Sequence, residues 1–128
     1  MNIQEIMRIF KTKIFSKWSK KVKISDAALV KAILEIENGL TDANLGNNIY
    51  KKRVATQGKG KRSSTRTLLA YKKNNKAFFI YGFEKNVRSN ITGNEKKQLQ
   101  LAGEELLNFT DKEIDRKLAK GNLIEIKE

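Results

Sequence analysis

The chain has no cysteine, no histidine and no proline among its 128 residues. Without cysteine there are no disulfide staples and no thiolate metal sites. That accords with a reducing, cytoplasmic setting. Without histidine, a Ser-His-Asp triad, a histidine-pair nuclease and an imidazole metal site are all excluded. Any acid–base chemistry therefore falls to Lys, Arg, Tyr, Asp or Glu, and we expect no metal site and no small-molecule cofactor. No apolar run approaches the ~20 residues that a bilayer span requires. The opening Met1-Asn2-Ile3-Gln4-Glu5-Ile6-Met7-Arg8 lacks the basic-then-apolar layout of a secretory signal, so no membrane partner is expected.

Acidic residues are also scarce where it matters. The formal net charge is +13. Between residues 50 and 88 there are twelve bases: Lys51, Lys52, Arg53, Lys59, Lys61, Arg62, Arg66, Lys72, Lys73, Lys76, Lys85 and Arg88. The only acid in that stretch is Glu84. A basic middle between nearly balanced ends favours a nucleic-acid contact over a merely solvated face.

The remaining pattern predicts a single α+β domain over residues 1–128, with 110–128 as a C-terminal helix and strand extension. Ile6 to Lys11 is read as an opening strand. Thr12 to Lys21 reads as a helix with Phe15 and Trp18 on one face, Trp18 serving as a core or hinge anchor. Ser25 caps a second helix with an apolar stripe of Leu29, Ile33 and Ile36, and Gly39 ends it. Glu35 and Glu37, two residues apart on that helix, read as solvated surface. Tyr50 to Ala55, Thr65 to Tyr71 and Ala77 to Phe83 are β-branched and aromatic, and predict an antiparallel sheet with a turn at Asn74-Asn75. Thr92 with Glu95, and Thr110 with Glu113, are capping boxes that open two further helices. Gly121 stops the last one, and Leu123 to Ile126 is read as a closing strand.

Strand alternation puts Lys51 and Arg53 on one face. The loop Gly58-Lys59-Gly60-Lys61-Arg62 can bring backbone N–H groups close to a phosphate. Its spacing does not make a P-loop. Arg66 opens the next strand, and Lys85 and Arg88 follow the third. Such a cationic surface suits cleavage of RNA by its own 2′-hydroxyl, because Arg and Lys donors stabilise the charge that builds on the phosphorane. A lysine crowded by other cations can serve as general base, with Lys59 and Lys61 as the candidates. DNA lacks the attacking hydroxyl.

Three segments in order resemble the RelE/HigB-type toxins of bacterial toxin–antitoxin systems, in the RelE/ParE superfamily. They are Arg53-Val54-Ala55-Thr56-Gln57-Gly58-Lys59-Gly60-Lys61-Arg62, then Arg66 with Leu68 and Leu69, then Phe79-Ile80-Tyr81-Gly82-Phe83-Glu84-Lys85-Asn86. The likeness spans about residues 8 to 107. It implies an antiparallel sheet carrying two N-terminal helices, cleavage of messenger RNA in the ribosomal A site, and a cognate antitoxin partner. By position it implies a basic pair at Lys51 and Arg53, a phosphate-contacting arginine at Arg66 and a basic segment at Lys85 and Arg88. Together with the lysine chemistry above, the candidate catalytic residues are Lys59, Lys61, Arg66, Lys85 and Arg88, and the candidate RNA-binding residues are Lys51, Lys52, Arg53 and Arg62. Two departures stand out. Ser63 and Ser64 replace a usual pair of glycines, and Thr92 stands where some members carry a tyrosine.

Two other readings use the same residues. A ParE-like toxin would inhibit gyrase without cutting RNA. A non-catalytic RNA- or DNA-binding module would show salt-dependent affinity and no cut product.

Overall fold

The computed structural model describes residues 7–57, 64–72 and 76–127. It begins with strand β1 (Arg8–Thr12), which runs directly into helix α1 (Lys13–Lys21). Thr12 ends the strand and caps the helix, its hydroxyl accepting from the Phe15 N–H at 3.1 Å. Helix α2 (Asp26–Glu37) starts from the Ser25 cap and stops at Gly39, whose φ of +80° is the left-handed conformation that a glycine adopts freely. Then come β2 (Ala43–Asn44), β3 (Ile49–Arg53), β4 (Thr65–Tyr71) and β5 (Lys76–Glu84). The chain closes with α3 (Gly93–Leu107), α4 (Asp111–Ala119) and β6 (Leu123–Glu125). Both capping boxes form, at Thr92–Glu95 and Thr110–Glu113. Among the described residues no helix is long and apolar enough to cross a membrane.

The architecture is α+β. Its six strands form one sheet in the order β2-β3-β4-β5-β1-β6. The sheet is mixed rather than wholly antiparallel, because β1 runs parallel to β5. Strands joined by short turns must run antiparallel, whereas a long connection leaves the direction open; β1 and β5 are separated by two helices and three strands. Strand β2 has no counterpart in the sequence reading. The turn that pairs it with β3 is Gly46-Asn47-Asn48, three successive residues at positive φ. The turn at residues 73–75, like the loop 58–63, lies outside the described residues.

Each face of the sheet carries its own core. On one face, Leu69, Tyr71, Ala77 and Phe79 meet Phe15, Leu29, Ile33 and Ile36 of α1 and α2. On the other, Ile49, Leu68, Ala70 and Phe78 meet Leu99 and Ile114 of α3 and α4. Strand β4 is buried at all seven positions as a result. Helix α3 comes close because it has Gly103 there; a Cβ at that position would meet Ile49 Cδ1 at 2.5 Å.

Trp18 packs flat against the backbone of Gly82 in β5. A Cβ on Gly82 would lie 2.1 Å from the indole ring. Gly82→Ala is therefore expected to destabilise the fold by about 2 kcal/mol through overpacking. Urea unfolding followed by the fluorescence of Trp18, the single tryptophan, measures this directly.

Candidate nucleic-acid interface

Cross-strand register assembles the cationic surface. Arg53 pairs with Arg66, and Arg66 with Phe83, so one row runs Arg53–Arg66–Phe83 across β3, β4 and β5. The adjacent row on the same face is Lys51–Leu68–Tyr81. Paired residues share a face of the pleat. Lys51, Arg53 and Arg66 are thus brought together, on the face that α3 and α4 cover farther along, where Ile49 and Ala70 meet Gly103.

Arg66 lies at the floor of this surface, its side chain 6% exposed and its Nε 3.1 Å from Asp42 Oδ2. Its Nη1 donates to the Thr65 carbonyl at 3.1 Å. Burial, and next the charge of Arg53, push the Arg66 pKa below its ordinary value, while Asp42 pulls the other way. An arginine stays protonated regardless. The physical content is a recessed guanidinium with a second cation beside it, partly compensated by Asp42. Arg53 stands exposed beside it.

Arg88 closes the far end. Its guanidinium sits 5.9 Å from the centre of the Phe83 ring. Nη1 and Nη2 grip both oxygens of Glu95, at 3.0 and 2.5 Å, and Nε and Nη2 donate to the Asn90 carbonyl. Four of the five N–H donors of a guanidinium are used in this way. Arg88 therefore ties the segment after β5 to the first turn of α3. A phosphate would have to take Glu95's place to bind it bidentately. The Arg88 hydrogen bonds, with the Thr92 N–H behind them, hold the Glu95 pKa down at about 2.

Lys52 points the opposite way. Alternation along β3 puts it on the face of α2, where Nζ lies 2.9 Å from Glu35 Oε1 and the side chain is 7% exposed. The expectations that Lys52 contacts RNA and that Glu35 is solvated thus give way to a largely buried ion pair. Glu37 likewise accepts from the Tyr71 hydroxyl, at 3.4 Å. Lys85 is exposed just past β5, and its N–H donates to the Ser64 carbonyl at 2.8 Å. Lys59, Lys61 and Arg62 lie outside the described residues. Sequence reasoning missed Asp42, Tyr81, Phe83 and Glu95 as members of this surface. Glu95 was legible as a capping-box partner, but only folding shows that it also grips Arg88.

The fold is thus an α+β sheet between two helical layers, with Lys51, Arg53 and Arg66 on one face. The family model described as the RelE toxin of the RelE/RelB toxin–antitoxin system matches residues 7–126. The chain belongs to the RelE toxin family: it is the toxin of a toxin–antitoxin system, in a family that generally cleaves messenger RNA and is paired with a RelB-type antitoxin. Comparison with curated proteins gives no match.

Two outcomes follow from the ion pairs. Lys52→Met removes the cation that faces Glu35 and is expected to cost about 3 kcal/mol, much of it recovered when Glu35→Leu is added. A double-mutant cycle by urea unfolding checks this, and RNA affinity of the double variant should be unchanged. For Glu95, the folded pKa lies below its ordinary 4.5. The stability that it contributes is present above pH 4.5 and is lost as the pH falls toward 2. Glu95→Gln keeps the capping-box acceptor. The stability difference between the native chain and this variant should therefore shrink from pH 5 to pH 2.

Proposed function

We propose that this toxin is an endoribonuclease that cuts messenger RNA in the ribosomal A site and so stops translation. The observation that carries this reading is the Arg53–Arg66 pair, two guanidiniums in register on adjacent strands, with Lys51 one pair further along the same face. Like charges opposed across a sheet destabilise it. Two guanidiniums side by side on one face, only one of them recessed, suit a substrate that brings negative charge to that place.

The chemistry is an in-line attack. The ribose 2′-oxygen forms a bond to phosphorus, the bond from phosphorus to the 5′-oxygen breaks, and the products are a 2′,3′-cyclic phosphate and a 5′-hydroxyl. Charge builds on the equatorial oxygens and the leaving oxygen. Arg53 meets that charge from the surface and Arg66 from the floor, its guanidinium held in place by Asp42 and the Thr65 carbonyl. A preorganised donor of this kind needs no reorientation as the transition state forms. Lys59 or Lys61 takes the 2′ proton as general base in this scheme, and Lys85 adds cationic charge beside the leaving group. No step requires a metal ion or an organic cofactor. Before RNA binds, the partner is the antitoxin, for which the same cationic face offers an acidic segment a site.

Expression from a tightly controlled promoter, with mapping of 5′ ends on cellular messages, tests the reading. New ends should fall within translated frames and should carry a 5′-hydroxyl, so that they ligate only after phosphorylation. Arg66→Ala should lower cleavage by 10²–10³-fold, more than it lowers affinity, with the fold retained. Growth arrest without new ends would point instead to gyrase inhibition. RNA affinity without any cut product would leave a binding module.

A further inference from the structure

Strand β5 does not alternate regularly. The register between β4 and β5 slips at Leu68/Leu69: Leu68 faces Tyr81 while Leu69 faces Phe79. Ile80 is the extra residue of a β-bulge. Phe79 packs with the α1–α2 core and Gly82 lies against Trp18, whereas Ile80 and Tyr81 both pack with the core under α3 and α4. The Thr12 hydroxyl donates to the Ile80 carbonyl at 2.9 Å, which fixes the bulge. Bulges of this kind re-aim side chains and are concentrated beside active sites.

Ile80 and Tyr81 open a cavity of about 300 Å³ between β5 and α3. Ile14, Ile80, Leu99 and Ala102 give it apolar walls, and Tyr81, Gln98 and Glu95 bring polar groups to it. The size lies at the low end of the ~300–1,000 Å³ range of small-ligand sites. Glu95 joins the cavity to the cationic row, since its carboxylate holds Arg88 over Phe83. Tyr81 and Phe83 are two strand residues apart, about 7 Å, and Phe83 is the register partner of Arg66.

We propose that this cavity is a nucleobase subsite, which takes a base of the RNA strand whose phosphate lies on Arg53 and Arg66. This rests on the RNA-binding reading above and adds to it a place where base identity is sensed. The half-buried Tyr81 ring offers a stacking surface next to the phosphate, as single-stranded RNA requires. Both Glu95 oxygens are occupied by Arg88, and Oε1 also by the Thr92 N–H. The exposed Gln98 amide is therefore the group that reads a base edge, donating and accepting at once. The occupant follows from continuity: the cavity begins where the cationic row ends.

Short 2′-O-methyl oligonucleotides lack the attacking hydroxyl and cannot be cut by the mechanism above. Their binding, with one base removed at each position in turn, is read by fluorescence anisotropy at fixed salt. For the native chain, one position should show about a tenfold loss when its base is absent. Tyr81→Leu should erase that positional loss, Tyr81→Phe should keep it, and Arg53→Ala should weaken every oligonucleotide alike. Gln98→Ala, at an exposed helix position, should reduce the preference among bases there without touching the fold. Equal abasic losses in the native chain, Tyr81→Leu and Gln98→Ala would overturn the subsite, even if messages are cut in cells. A Tyr81-dependent loss with no cutting in cells would uphold the subsite and sink the nuclease. Absence of binding to any oligonucleotide would overturn the subsite.

Discussion

Strand β4 is buried on both sides, and the rest of the molecule follows from that constraint. A pleated strand sends alternate side chains to opposite faces. Here each face has a helical layer to bury against, α1–α2 on one side and α3–α4 on the other. Every residue of β3 and β5 is thereby assigned to a layer. Lys52 goes to the α2 side and is neutralised by Glu35. Lys51 and Arg53 go to the other side, next to Arg66. The same alternation that builds the core separates a structural lysine from the cations of the candidate site.

The charges within that site are not left to repel one another unchecked. Arg66 is anchored by Asp42 and Arg88 by Glu95. Each carboxylate comes from a different part of the chain, Asp42 from beside β2 and Glu95 from the first turn of α3. Anchoring of this kind fixes the plane of a guanidinium, which is what recognition of a phosphate depends on. The three arginines also differ in exposure and in how they are held. Arg53 is exposed, Arg66 is recessed, and Arg88 is held by nearly all of its donors.

The bulge in β5 shows how a local irregularity becomes a feature of the surface. One extra residue turns Ile80 and Tyr81 to the same layer, and the Thr12 hydroxyl meets the carbonyl that the bulge exposes. Thr12 also caps α1, so the end of β1, the start of the helix and the irregularity in β5 are held by one side chain.

The sequence by itself determined the elements other than the two-residue β2, and the excess of positive charge. Helix caps, apolar stripes and β-branched runs act through neighbours a few residues away. The capping boxes, the Gly39 stop and the closing strand were therefore legible without coordinates. The crowding of bases between residues 50 and 88 was equally open to view. Only the tertiary structure decided which cations share a face and what opposes them. The pairing of Arg53 with Arg66, the Asp42 and Glu95 anchors, the parallel β1–β5 contact and the bulge at Ile80 all join residues far apart in the chain. Local propensity carries no information about such partners, since register and packing between distant segments are settled only when both cores close around the sheet.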